Sequence, residues 1–247
     1  MVLALVWGAY RWSAYSHNAL VIVEPREHPL LKYVIDNFDK RMDSSWDLYV
    51  FHGASMRKYA ETATEDVKKR GKRRIFLISL DTDNLKPDEY NDLFKKTSFW
   101  DQVWAENILV FQTDTAICSA SPYKIGDFMK YDYIGCAGGK SEIGKDAYWG
   151  GTFYGVGGLS FRKKSFMQKC IAERPAVAKG YAEDVFFSEC VEAFGVKPES
   201  ADVLNAFCTQ NESHALSFGA HKTRNLKGGD KKTFYKYCPA AQALEVA

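Results

Sequence analysis

Apolar and polar positions fall along this chain in blocks whose lengths separate strands from helices. Ala19-Leu-Val-Ile-Val23 is a continuous apolar run closed by Glu24-Pro25, the pattern of a strand buried on both faces. Over 29–40, Leu30, Leu31, Val34, Ile35 and Phe38 share one stripe at helical spacing, with Pro29 in the first turn. Trp46 to Phe51 reads as a second strand, closed by His52-Gly53, and a charged helix follows over roughly 56–70. Arg74 to Leu80 is a third strand, Pro87 to Lys96 a short helix, and Ile108 to Phe111 a fourth strand. Repeated strand-helix order predicts a mostly parallel sheet with right-handed crossovers and helices on both faces. The second half is less regular. Tyr131 to Gly135 reads as a strand, Gly138 to Gly158 as loop, and helices are expected near 165–173 and 184–194, the latter ended by Gly195.

Composition narrows the class. A chain of 247 residues with 46% hydrophobic and 26% charged residues has the make-up of a soluble globular protein of one large domain or two small ones. A formal net charge of +2 gives no case for nucleic acid as a partner. Aromatic content of 15% is high, and the simplest use for it is a Phe- and Tyr-rich core, the sharper one a sugar or base platform. Six cysteines, Cys118, Cys136, Cys170, Cys190, Cys208 and Cys238, form no CxxC unit, so zinc is not expected. Their even number allows disulfides, but Cys170 and Cys190 sit on apolar faces of expected helices and read as small buried hydrophobes, which favours a reducing compartment. The apolar start, Met1 to Trp7, is interrupted by Arg11 and falls short of the roughly 20 residues a spanning helix needs. Residues 1–17 therefore read as a leader, with a trimmed signal anchor as the alternative, and no stable membrane span is expected elsewhere.

The fourth expected strand ends in Gln112-Thr113-Asp114, which puts a carboxylate at the rim of a parallel sheet, where open α/β sheets bind ligands. Oxygen ligands of this kind suit Mg2+ or Mn2+. A literal DxD, Asp81-Thr-Asp83, follows the third strand, but it runs straight into a helix and reads first as turn and cap. Trp149 to Arg162 carries five glycines among Trp149, Phe153 and Tyr154, which reads as a binding loop where a sugar approaches the main chain, or as a flexible hairpin. Glu183-Asp184 opens a helix. Acids stabilise helix N-termini, and a carboxylate here also suits a general base. His221, after a Gly turn and before Lys222, reads as a metal ligand with a phosphate-binding neighbour. From Lys222 onward the chain is basic, with a solvated tail as the default and a diphosphate clamp as the alternative.

Six motifs stand in order: Val21-Ile-Val-Glu-Pro-Arg26, Phe111-Gln-Thr-Asp114, Tyr131-Asp-Tyr-Ile-Gly135, Gly157-Gly-Leu-Ser-Phe-Arg162, Glu183-Asp-Val-Phe-Phe187 and Phe218-Gly-Ala-His-Lys222. Together, over about residues 18–222, they resemble the DUF5672 proteins of fungi, algae and large viruses, which are similar to glycosyltransferases of the GT-A fold. The resemblance implies an α/β, Rossmann-like GT-A domain over 18–222, followed by a basic tail over 223–247. It implies transfer of a sugar from a nucleotide-diphosphate donor, such as a uridine or guanosine diphosphate sugar, to a hydroxyl of a glycan or glycoprotein, usually with Mn2+ or Mg2+. On this reading Glu24, Arg26, Gln112, Thr113, Asp114 and Lys222 meet the donor, and Asp114 and His221 hold the cation. Trp149, Tyr154, Gly157 and Gly158 shape the sugar and acceptor pocket, and Asp184, beside Glu183, is the base. An amide, Gln112, stands where the family pattern expects the first acid of a DxD, so metal affinity is the open point. A carbohydrate-binding protein that lost turnover and a sugar nucleotidyltransferase are the alternatives. The expected location is the cytoplasm, or the Golgi lumen with an anchor removed.

Overall fold

The computed structural model describes residues 17–137, 153–174, 181–211, 216–226 and 228–246. Its centre is a six-stranded sheet in the order β3-β2-β1-β4-β7-β6. Strands β1 (Asn18–Glu24), β2 (Trp46–His52), β3 (Ile75–Ser79) and β4 (Asn107–Phe111) are mutually parallel, as the sequence predicts. Successive side chains on a strand point to opposite faces. Leu20, Ile22, Leu48, Val50, Leu109 and Phe111 therefore build one core with helices α1 (Leu31–Arg41) and α2 (Arg57–Arg70). Ala19, Val21, Tyr49, Phe51, Ile108 and Val110 build a second core with α3 (Pro87–Phe94) and the single turn α4 (Thr97–Trp100) on the other face. The stripe Val34, Ile35 and Phe38 is what docks α1, and Phe38 stacks on Phe111 with ring centres 4.0 Å apart.

The second half departs from the parallel pattern. Strand β7 (Val156–Lys163) runs antiparallel between β4 and β6 (Tyr133–Cys136). The expectation of loop up to Gly158 is thus corrected for its last residues: Gly157 and Gly158 lie in a central strand. Helices α5 (Lys164–Glu173) and α6 (Glu183–Phe194) pack on the second core. After α7 (Ala201–Phe207), a small sheet joins β5 (Thr115–Ile117), β8 (Cys208–Thr209) and β9 (Gly219–His221) in the order β5-β9-β8.

Two further expectations are corrected. The basic C-terminal segment is not a solvated tail. With helices α8 (Gly228–Tyr237) and α9 (Pro239–Gln242) and the turns beside them, it buries Phe234, Cys238, Ala241 and Leu244 against the first core. The Tyr33 hydroxyl donates to the Ala240 carbonyl at 3.0 Å and the Tyr237 hydroxyl to the Ser217 carbonyl at 2.6 Å. The cysteines, buried as expected, are not free thiols: they form Cys118–Cys238, Cys136–Cys208 and Cys170–Cys190. The reading of Cys170 and Cys190 as separate buried hydrophobes, which favours a reducing compartment, therefore loses its footing. No helix among the described residues is long and apolar enough to cross a membrane.

Candidate active site

Strand order reverses between β1 and β4, since β2 and β3 continue on one side and the chain returns to the other. The carboxyl ends of strands at such a point frame the ligand crevice of open α/β sheets. A cleft of about 530 Å³ opens there, lined by Glu24, Arg26, Tyr90, Gln112, Asp114, Gly157, Gly158, Asp184, His221 and Lys222, among others.

At the β1 end, Glu24 holds Arg26 through two bonds, Nε to Oε1 at 2.8 Å and a second guanidinium nitrogen to Oε2 at 3.0 Å. Glu24 is buried, whereas the Arg26 side chain is 55% exposed, so the pair presents a fixed guanidinium to the cleft mouth.

At the β4 end the chain turns, with the Thr115 N–H and hydroxyl both donating to the Gln112 carbonyl at 3.2 and 2.6 Å. β5 then pairs antiparallel with β9 in the register Thr115↔His221, and the Lys222 N–H donates to the Asp114 carbonyl at 3.1 Å. That register brings His221, 107 positions away in sequence, beside Asp114. Nε2 of His221 lies 3.4 Å from Oδ1 of Asp114, and neither buried atom has a well-formed hydrogen bond among the described residues. Burial pushes the Asp114 carboxyl up, but His221 and Lys222 outweigh it and hold the carboxyl below its ordinary range. Burial dominates at His221 and holds the imidazole below its ordinary value despite Asp114. Lys222 sits in the left-handed region at φ 49°, a conformation costly for a residue with a Cβ and often found at functional sites.

The two glycines of β7 line the cleft and lie tight against its other groups. A Cβ at Gly158 would come within 2.3 Å of His221 Nε2 and 2.7 Å of Gln112 Oε1. One at Gly157 would meet the Glu183 carboxylate at 2.0 Å. Their absent side chains therefore make room for the site's own groups.

Across the cleft, Glu183 and Asp184 open α6 and divide their roles. Glu183 is buried and paired with the fully buried Arg162 at 2.6 and 2.9 Å. The Arg162 guanidinium lies 4.9 to 5.9 Å from the ring centres of Phe94, Tyr133, Phe187 and Trp100, and also donates to the Gly157 carbonyl at 3.3 Å. Asp184 accepts from the Gly157 N–H at 3.2 Å and the Val185 N–H at 2.9 Å. Burial, with Glu183 adding its charge, pushes the Asp184 carboxyl up to about 6. A half-buried carboxylate raised toward neutrality and lining a cleft is the kind of group that accepts a proton during a reaction.

The remaining expected residues fall elsewhere. Tyr154 is not a cleft residue: its ring is buried in the second core and its hydroxyl bonds to Glu192. Trp149 lies outside the described residues. Asp83 is a turn residue, accepting from the Ser55 N–H at 2.7 Å and the Ser55 hydroxyl at 2.9 Å, and neither it nor Asp81 lines the cleft. Three contributors carried no local signal. Tyr90 lies in α3, and its hydroxyl is buried beside Gln112 without a well-formed hydrogen bond among the described residues. Arg224 and Leu244 reach the cleft from the segment read as tail.

Comparison with known proteins agrees with this architecture. The family model described as "Protein of unknown function (DUF5672)" matches residues 74–221, more than half of the chain. The chain belongs to the DUF5672 family. No curated protein matches it. Among solved structures, the apo-form glycosyltransferase GlyE of Streptococcus pneumoniae TIGR4 is similar at 10% identity and a TM-score of 0.54, covering 92% of this chain and 62% of that one. A second GlyE structure gives 11% identity and a TM-score of 0.51, covering 93% and 62%. The mannosyltransferase PcManGT of Pyrobaculum calidifontis, in complex with GDP-Man and Mn2+, matches at 13% identity and a TM-score of 0.45, covering 74% and 57%. This DUF5672 chain therefore spans about 57 to 62% of the length of these structures. At such identities the likeness is one of fold: a mixed, mostly parallel sheet flanked by helices, of the GT-A-like type.

Proposed function

We propose that this protein transfers a sugar from a nucleotide-diphosphate donor to a hydroxyl of a glycan or glycoprotein. The observation that carries the reading is one cleft with a cation-seeking pair on one wall and a raised carboxyl on another. Asp114 Oδ1 and His221 Nε2 are both buried, both without a well-formed hydrogen bond among the described residues, and 3.4 Å apart. Carboxylate oxygen, imidazole nitrogen and the nearby amide oxygen of Gln112 form a donor set that fits Mn2+ or Mg2+. A cation held there neutralises the charge of a diphosphate leaving group. Lys222 and Arg224 add fixed positive charge on the same wall. The Glu24–Arg26 pair meets the nucleotide, and Gly157 and Gly158 form the floor below the sugar. Asp184 takes the proton of the acceptor hydroxyl as it attacks, a role that needs its ionised form. The three disulfides support an oxidising compartment, such as a secretory lumen, over the cytoplasm.

One observation favours a second reading, a carbohydrate-binding protein without turnover: among the described residues, no three His, Cys, Asp or Glu side chains gather as a metal site. Calorimetry of uridine and guanosine diphosphate with Mn2+ and with chelator tests the cation seat. The transferase reading predicts tighter binding with Mn2+, lost in Asp114→Asn and kept in Asp81→Asn. Equal affinity in chelator, or an Asp81→Asn defect beside an intact Asp114→Asn, contradicts it.

A further inference from the structure

We infer that Gln210 is a positioning residue for His221: its side-chain carbonyl takes the Nδ1 proton and so turns a bare Nε2 toward Asp114. The inference rests on the cation seat proposed above and names what prepares it. Nδ1 of His221 lies 3.0 Å from Gln210 Oε1, and both residues are buried. A carboxamide oxygen only accepts, so Nδ1 is the atom that carries hydrogen. A neutral imidazole has one N–H, which leaves Nε2 with a lone pair. That lone pair faces Asp114 Oδ1 across 3.4 Å, and no hydrogen bond joins them. Two acceptors in contact repel each other unless positive charge lies between them. With the opposite tautomer, the same residues would make an ordinary His–Asp hydrogen bond and the seat would close on itself. Gln210 thus decides whether this pair is a structural contact or two ligands.

The fold fixes Gln210 for the task. β8 and β9 pair in parallel, Cys208 opposite Gly219 and Thr209 opposite Ala220, and Gln210 and His221 are the next residues on the two chains. β8 is tied down by the Cys136–Cys208 disulfide and by a 2.9 Å hydrogen bond between the Thr209 and Ser217 hydroxyls. From the opposite side, the ring lies against Gly158, where an added Cβ would come within 2.3 Å of it. Outer groups that fix a ligating histidine in this manner typically change metal affinity 10- to 100-fold when removed.

The test combines long-range 1H–15N correlation of the cation-free, 15N-histidine-labelled protein with Mn2+ titration followed by the electron paramagnetic resonance of free Mn2+. The wild type is expected to show His221 as the Nδ1–H tautomer. Gln210→Leu is expected to shift it to Nε2–H and weaken Mn2+ by about 10-fold or more. Gln210→Glu keeps the acceptor and is expected to retain both tautomer and affinity, which covers the case in which Gln210→Leu does not fold. An Nε2–H or doubly protonated ring in the wild type at pH 7.5 overturns the inference, as does an unchanged tautomer in folded Gln210→Leu. An Nδ1–H ring in a wild type that binds no Mn2+ removes the cation seat and leaves the role of Gln210 in setting the tautomer standing.

Discussion

Among single residues, Asp184 carries the sharpest expectation. Its carboxyl is pushed up to about 6 by burial and by Glu183, well above a carboxylate in the unfolded chain, near 4. Folding therefore works against its ionised form above pH 6, and that cost fades as pH falls toward 4. Two outcomes follow with opposite signs. Turnover of the wild type falls as pH drops through about 6, because protonated Asp184 accepts no proton. Asp184→Asn lowers turnover about 100-fold or more with donor binding retained, yet it raises Tm at pH 7.5 and loses that advantage near pH 4. Scanning calorimetry at the two pH values, beside donor titration, checks both. A variant that no longer binds nucleotide would make Asp184 a donor ligand instead. Stability given up at a reacting group is expected where a carboxylate is held out of water for chemistry.

At the scale of elements, the neighbouring acid behaves differently because it is paired. Glu183 joins the first turn of α6 to Arg162 of β7, deep among aromatic rings. Breaking a buried pair by removing one charge costs about 3–5 kcal/mol. Glu183→Gln should therefore lower the urea midpoint sharply. If instead it leaves stability unchanged and removes turnover, the roles of the two acids are reversed. How legible these elements were follows from their physics. β1 to β4 announce themselves as short apolar runs because both faces of a parallel strand are buried. β7, Val-Gly-Gly-Leu-Ser-Phe-Arg-Lys, hides behind its glycines, whose meaning depends on Glu183 and His221 arriving from elsewhere. Asp114 and His221 were each readable as ligand types, but their meeting is set by the β5–β9 register. Gln210 had no signal at all, since its partner is chosen by the β8–β9 pairing.

For the whole molecule, the C-terminal segment and the cysteines are what the sequence concealed. The lysines of 222–236 give a solvated look to a stretch that buries Phe234, Cys238 and Leu244 and sends Arg224 and Leu244 to the cleft. The Cys118–Cys238 bridge closes 120 residues of chain, a distance over which spacing gives no guide to pairing. Chain entropy assigns such a bridge about 5 kcal/mol. Cys118→Ala with Cys238→Ala should lower Tm markedly, and thiol reagents should have the same direction of effect; an unchanged Tm would mean that the segment holds without its tether. The central claim is that this cleft handles a nucleotide sugar with help from a cation and Asp184. It is tested most directly by release of nucleoside diphosphate from a panel of nucleotide sugars, with Mn2+ and with chelator, for wild type and Asp184→Asn. The account predicts release from at least one donor by the wild type, dependent on the cation and largely lost in the variant. Absence of release from every donor, or equal release in chelator and by Asp184→Asn, would contradict it.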